Sequence, residues 1–387
     1  MQPFELRGDG IVLAVPTADD IDRVTAICQD AEIQRWLTAV NPPFTREQAA
    51  HFVTEVVPAS WADGSELIWA VRDQEDRRVI GMIGVGPITG GKAEIGFWLA
   101  PEARGSGVMA GAVRVVADYA FDPEGLALTH LGWKAIVGNW ASRRVAWATG
   151  FRFEGTIRGD LVKQGRRHDA WVASLCAGEP MEPAGRWLDV PVLRSERVVL
   201  RPFAETDADA IVEACNDPVS QHWLAGLPSP YTREIALTYV HDRREQAATG
   251  SGVHWAAALP DGGPAVGSFS LMGVSSRDGG AEVGYWVHPR VRGTGVATAA
   301  VALMTEHAFA DQDAGGLGLR RLVVAHVTGN DASRTVIERS GFRPIGLERA
   351  GQHLRGGAIV DLHWYDLLLD DDPPAGEQPG DEQPGTR

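Results

Sequence analysis

With 387 residues, 44% of them hydrophobic, the chain is long enough for two or three domains with their own cores, and no apolar run reaches the roughly eighteen residues of a membrane span. Its formal net charge of −15 disfavours nucleic acid, whose phosphates need a basic face, while serving solubility and attracting cationic substrates. Three cysteines, an odd number with no histidines at ligand spacing, argue against both a disulfide framework and a metal site; with no leader pattern in Met1-Gln2-Pro3-Phe4-Glu5, a cytoplasmic enzyme is the expectation.

In chain order, residues 11–15 read as a strand, followed by a helix capped by Thr17 with Asp20 three positions on. A second helix starts at Thr45, with Gln48 in the capping-box position. Three strands follow near 67–72, 78–85 and 92–99, separated by polar turns such as Asp73-Gln74-Glu75-Asp76. A long helix is predicted over 105–121, a strand over 131–136, a helix from Asn139 to about Ala148, and two closing strands near 152–157 and 168–175. The order then repeats: strand 197–202, helices from Thr206 and Thr232, strands 253–259, 264–271 and 280–287, helix 293–310, strand 320–327, helix 330–340 and strands to Leu369. Between the halves, residues 178–194 read as a linker; the Pro, Gly and acidic tail from 370 onward lacks the apolar content to offset its ordering entropy and is expected to be disordered.

The repetition extends to individual residues. Residues 93–121 set on 281–309 without a gap share 13 of 29 identities, where unrelated sequences share about two. A slowly drifting offset pairs Trp36 with Trp223, Thr45 with Thr232, Asn139 with Asn330, Ser142 with Ser333, Phe151 with Phe342 and Asp169 with Asp361. A period this long means two domains, 1–177 and 195–369, and not a solenoid. Cys28 and Cys215 fall at matching places in the first helix of each half and read as small buried side chains, as does Cys176 at a strand end.

At the centre of each half, a strand runs through a glycine turn into a helix: Glu94-Ile95-Gly96-Phe97-Trp98-Leu99 then Arg104-Gly105-Ser106-Gly107-Val108-Met109, and Glu282-Val283-Gly284-Tyr285-Trp286-Val287 then Arg292-Gly293-Thr294-Gly295-Val296-Ala297. Such a turn leaves successive amides unpaired at the positive end of a helix, where a phosphate can sit. Glycine lets the backbone approach the anion closely. A Rossmann unit also matches Gly105-x-Gly107-x-x-Ala110, but it requires an initial strand of a parallel βαβ unit, whereas three strands joined by short turns come first here.

The combined pattern, a strand ending in proline, Arg-Gly-x-Gly opening a helix, then an Asn-x-x-Ser helix ending in Gly-Phe, resembles the GNAT superfamily of acetyl-CoA-dependent N-acetyltransferases, and its RimJ/RimL-like branch in particular. The resemblance covers residues 5–177 and 192–370 and implies an α/β fold with a mixed sheet, two GNAT domains in tandem, and acetyl-CoA as cosubstrate without a metal. It implies that the two glycine turns bind the pyrophosphate, that Leu99 and Val287 bind the pantetheine through their main chains, and that Asn139 and Asn330 hold the pantetheine arm. Met109 departs from the small residue the motif has at that position; Ala297 fits it.

Acetyl transfer to an amine needs a neutral nucleophile, stabilisation of a developing oxyanion and a proton for the departing thiolate. Glu94 and Glu282 are candidates for the base, and Ser142 and Ser333, by the resemblance, for the proton donor. Plainer readings stand beside these: a carboxylate on the solvent face of a half-buried strand, and Asn and Ser as an ordinary helix cap and first turn. Trp36 and Trp223 wall an amine pocket or pack in the core. Trp133, Trp140 and Trp147 have Val323, Asp331 and Ile337 or near neighbours as counterparts, which makes the two acceptor environments different. The expected acceptor is a protein N-terminus or a small cationic amine; the alternative is that only the C-terminal half is catalytic and the N-terminal half is a degenerate coenzyme-binding or structural domain, and the expected assembly is a monomer with pseudo-dimeric halves or a homodimer.

Overall fold

The computed structural model describes residues 1–371 except 9 and 276. The tail from 372 onward, where most of the expected disorder falls, lies outside the described residues. The chain divides into two compact units, Met1–Ala184 and Gly185–Arg387.

The N-terminal unit contains β1 (Leu6–Gly8), β2 (Ile11–Ala14), α1 (Ile21–Ile27), α2 (Ala31–Trp36), α3 (Arg46–His51), α4 (Val57–Asp63), β3 (Leu67–Arg72), β4 (Val79–Val85), β5 (Lys92–Leu99), α5 (Val108–Phe121), β6 (His130–Ile136), α6 (Trp140–Ala148), β7 (Arg152–Lys163) and β8 (Arg166–Cys176). The C-terminal unit runs β9 (Leu193–Arg194), β10 (Val199–Arg201), α7 (Ala208–Asn216), α8 (Pro218–Trp223), α9 (Arg233–Ala248), β11 (Gly252–Leu259), β12 (Gly262–Ser275), β13 (Gly280–Val287), α10 (Val296–Phe309), β14 (Arg321–Val327), α11 (Asp331–Arg339), β15 (Arg343–His353) and β16 (Ile359–Leu368). Both sheets have eight strands in one order, β1-β2-β3-β4-β5-β6-β8-β7 and β9-β10-β11-β12-β13-β14-β16-β15. Within each, only the pair flanking the long central helix, β5 with β6 and β13 with β14, is parallel. The fold is the expected mixed α/β sheet, twice, and not a Rossmann unit.

Local chemistry explains most boundaries. In the Thr45 box, Gln48 Oε1 accepts from the Thr45 amide at 2.8 Å and Thr45 Oγ1 accepts from the Gln48 amide at 3.2 Å. The helix it opens is interrupted: Phe52–Val56 forms a π-turn before α4, next to Pro58, which has no amide for the α-helical ladder. Its counterpart α9 has no proline and runs 16 residues unbroken. The long central helices start at Val108 and Val296, three residues later than predicted, because the glycines before them take left-handed dihedrals, with φ of 77° and 81° at Gly105 and Gly107 and 76° and 83° at Gly293 and Gly295. Helix α5 buries Met109, Ala112, Val113, Val116, Ala117 and Ala120, a helical-period stripe, against the sheet. It lies so close that a Cβ on Gly111 would stand 2.3 Å from Ile11 Cδ1.

In the C-terminal unit two apolar clusters cover the two sheet faces. One joins α10 and α11 to the sheet through Val301, Met304 and Ile337. The other joins α7 and α9 through Ile211, Cys215 and Val240. Residues 178–194 contribute to both units: Met181 packs on the N-terminal core, Leu188 is buried in the C-terminal core, and Leu193–Arg194 pairs with β10.

Candidate active site

In each unit the parallel pair parts midway. Strand β13 pairs with β14 only from Gly280 to Glu282, then runs on to Val287 with no strand paired on that edge among the described residues; β5 leaves β6 after Ile95. The His288 amide donates to Val266 on the opposite edge at 2.8 Å, so the main-chain groups of Val287 point into the opening by strand alternation. The Ala100 amide does the same with Ile80 at 2.8 Å, which turns Leu99 into the opening of its own sheet.

The opening in the C-terminal unit leads into a cleft of about 380 Å³, and many of the residues singled out from sequence meet there: Val287, Arg292, Gly293, Gly295, Ala297, Asn330 and Ser333. Among the described residues, the amides of Gly293, Gly295, Val296 and Ala297 donate to no protein acceptor, as the first turn of a helix dictates. A Cβ on Gly293 would meet nothing within 4 Å, so the glycine is required by its dihedral and by close approach from the cleft, not by crowding. The side chains of Thr294 and Val296 stay out of the cleft. The Thr294 hydroxyl donates to Val291 at 2.7 Å, as Ser106 does to Ala103 at 2.7 Å, and Val296 is buried in the core.

The motif arginines are structural ties. Arg292 donates to Asp217 at 2.7 Å and to Ser220 Oγ at 2.9 Å, and Arg104 pairs with Asp30. Asp30 and Asp217 also cap α2 and α8. These short helices, absent from the sequence expectation, are thereby anchored to the glycine turns. Their signal was present as an Asp cap beside Ala31-Glu32-Ile33 and Pro218-Val219-Ser220, but six residues is too short for periodicity to register.

Asn330 accepts from the Ser333 amide at 3.2 Å, as Asn139 does from Ser142 at 3.2 Å, so both asparagines are helix caps. Ser333 Oγ lies 3.0 Å from the Tyr285 hydroxyl, a partner sequence reasoning missed. Burial pushes the Tyr285 phenol up to about 12, against a smaller downward pull from Ser333, so it stays protonated at neutral pH; it also donates to the Ser333 main-chain carbonyl at 3.3 Å, and in the contact with Ser333 Oγ either hydroxyl can be the donor. In the N-terminal unit Phe97 replaces Tyr285, and Trp133 Nε1 donates to Ser142 Oγ at 3.0 Å instead. An indole is only a donor, so in this contact Ser142 accepts and keeps its own proton.

Glu282 sits at the last paired position before the strands part, on the face opposite Tyr285. It is exposed at its tip, yet surrounding protein pushes its carboxyl above the usual range. Glu94 is likewise pushed up by burial, with an opposing pull from Lys134, whose Nζ lies 3.9 Å away and 3.0 Å from Asp160. Trp223 lines the cleft and lies 3.6 Å from where a Cβ on Gly329 would stand; Trp36 is related to Gly138 in the same way, at 3.2 Å. Met109 is 3% exposed and belongs to the core, whereas its counterpart Ala297 lines the cleft. Trp140 packs on Trp171 with ring centroids 4.6 Å apart, and the buried Arg143 lies against both rings.

A domain model described as an acetyltransferase (GNAT) domain matches the chain twice, at residues 11–152 and 197–343, and the chain belongs to that family, as an N-acetyltransferase with two such domains and acetyl-CoA as cosubstrate. From Bacillus subtilis (strain 168), "Putative ribosomal N-acetyltransferase YdaF" is 30% identical over 177 residues, 45% of this chain and 92% of that protein. "Uncharacterized N-acetyltransferase YoaA" from the same organism is 26% identical over 180 residues, 46% of this chain and 97% of that protein. Among solved structures, Mycobacterium smegmatis RimJ in complex with CoA-disulfide is similar at 26% identity and a TM-score of 0.42, over 47% of this chain and 88% of that one. No described group of His, Cys, Asp and Glu is arranged to hold a metal, and no described helix is long and apolar enough to cross a membrane.

The cleft fits its cosubstrate on its own chemistry: unpaired amides for a diphosphate, an unpaired strand edge for an amide-bearing arm, and a hydroxyl at the inner end.

Proposed function

We propose that the C-terminal domain transfers an acetyl group to a primary amine by direct attack within a ternary complex. The observation that carries this is the cleft that brings Ser333, Asn330, Val287 and the unpaired amides of the glycine turn together beside the open edge of β13. Gly293, Gly295, Val296 and Ala297 hold the diphosphate through their amides, Val287 and Asn330 hold the pantetheine arm, and Ser333, oriented by Tyr285, holds the proton needed by the departing sulfur. Acetyl-CoA supplies the acyl group as an activated thioester. Glu282, at the fork of the strands, takes the proton from the incoming ammonium.

An α-amino group near pKa 8 costs about 1 kcal/mol to neutralise at pH 7, and a lysine near 10.4 about 4 to 5. A protein N-terminus is therefore the acceptor a single carboxylate serves best, and a relative named as a ribosomal N-acetyltransferase supports that choice. A small cationic amine, drawn by the net charge of −15, is the other acceptor class.

A second reading, in which the N-terminal domain is a degenerate or structural partner, is favoured by two observations: Met109 is built into the core, and Arg104 lies 3.3 Å from the Leu99 carbonyl that would receive the pantetheine. Acetyl-CoA titration of Gly107→Asp and Gly295→Asp variants tests both readings, with free-thiol release scored on short peptides of varied first residue and on aminoglycosides. Gly295→Asp is expected to abolish thiol release and one binding event. Retention of full turnover in Gly295→Asp would sink the C-terminal assignment, and equal loss from both variants would sink the degenerate-partner reading.

A further inference from the structure

Two cations stand at the C-terminal cleft without a carboxylate partner among the described residues. Arg292 is neutralised by Asp217, but Arg339 lines the cleft and forms no ion pair. It shares one face of α11 with Ala332, Thr335 and Val336, about 9 Å along the helix from Ser333 at 1.5 Å per residue. Arg197 comes close to the glycine turn, its Nη1 4.0 Å from where a Cβ on Gly295 would stand. Neither cation has a counterpart in the N-terminal domain. The sheet registers that set Leu13 opposite Val71 and Leu200 opposite Ala257 place Gly10 where Arg197 stands, and the offset relating Ser142 to Ser333 places Ala148 where Arg339 stands.

We propose that Arg197 and Arg339 form a two-point phosphate clamp particular to the C-terminal domain, Arg197 on the diphosphate at the glycine turn and Arg339 on the ribose 3′-phosphate, so that this domain selects acetyl-CoA over its 3′-dephospho form. The clamp rests on the reading of this cleft as the cosubstrate site. An amide nest alone offers partial charges to a diphosphate; a guanidinium adds a full charge and a planar fork that fits phosphate oxygens. An arginine held by an aspartate, as Arg292 is, has spent that charge. An unpaired arginine facing a cleft in a chain of net charge −15 leaves room for a ligand anion to complete the pair.

The test is calorimetry on the full chain carrying Gly107→Asp, so that only the C-terminal site binds, with acetyl-CoA and acetyl-3′-dephospho-CoA titrated into that background and into its Arg197→Gln and Arg339→Gln derivatives. The background binds acetyl-CoA about tenfold more tightly than the dephospho form. Arg339→Gln removes that preference and leaves affinity for the dephospho form unchanged, while Arg197→Gln weakens both ligands by about the same tenfold, and rising salt weakens the background more than either derivative. A preference that survives Arg339→Gln overturns the 3′-phosphate contact, and unchanged affinity in Arg197→Gln overturns the diphosphate contact. If neither ligand binds the Gly107→Asp background while a Gly295→Asp chain still binds, the cleft reading itself fails and the clamp with it. Unaltered melting temperatures separate these outcomes from misfolding.

Discussion

The carboxylate at the strand fork and the hydroxyl pair at the inner end of the cleft have different titration behaviour. A base acts only when ionised, so a glutamate whose pKa is raised by burial moves the acid limb of the rate profile upward. With Glu282 as base, kcat/KM in a Gly107→Asp chain falls off on the acid side at a pH above the usual glutamate value of 4.5. Glu282→Gln removes that limb and lowers the rate by about 10² to 10⁴; unchanged turnover at saturating substrate would exclude Glu282 from the chemistry. Tyr285→Phe takes away the 3.0 Å partner of Ser333 and restores the residue type found at Phe97. The expected cost is up to about tenfold in turnover with a shift in stability of about 1 kcal/mol or less, read by steady-state kinetics and thermal melting. Glu94, Glu282, Ser142 and Ser333 were legible in sequence because they recur at one offset. Tyr285 was not, because its partner lies 48 residues away and its N-terminal counterpart has no hydroxyl.

At the scale of elements, the glycine turns and helix caps were readable because their chemistry is local, whereas the closing hairpins were readable only in part: the strands expected near 152–157 and 168–175 were found, but they run on to Arg152–Lys163 and Arg166–Cys176. Strand β7 is exposed along most of its length, so no burial alternation marks it, and it is held instead by cross-strand pairing with β8 from Arg152 to Lys163. The lengthened hairpins carry a device repeated in both domains. Lys163 donates to the carbonyls of Leu37 and Val40, and Arg355, at the matching place, to those of Gln221 and Leu227. The N-terminal hairpin tip is thus latched to the loop that follows α2, and the C-terminal one to the last turn of α8 and the loop after it, which begins beside the cleft-lining Trp223 and Leu224. Arg355→Ala is expected to raise KM for the amine by roughly an order of magnitude while leaving acetyl-CoA affinity unchanged. Equal changes in both parameters, measured by initial rates and calorimetry, would show that the latch only stabilises the fold.

Across the molecule, the buried residues of the N-terminal core lie between Ile11 and Leu175, and those of the C-terminal clusters between Leu188 and Leu367. Leu131 and Leu322 occupy the same place in the two and are both fully buried. Leu322→Ala is expected to destabilise the C-terminal domain by about 2 to 5 kcal/mol. Hydrogen exchange should then quicken at core amides of 185–371 and stay unchanged at those of 1–184, and quickening in both would refute separate cores. The duplication, the order of the longer elements and the glycine turns followed from the sequence alone, because backbone dihedral preference, capping and apolar period act over a few residues and print directly into it. Tertiary structure decided which of those residues meet: that the motif arginines are held by Asp30 and Asp217, that Met109 joins a core while Ala297 faces a cleft, and that Arg197 reaches Gly295 from nearly a hundred positions away. These outcomes depend on how strands part and helices lie across them, which packing over the whole domain settles and no local spacing encodes.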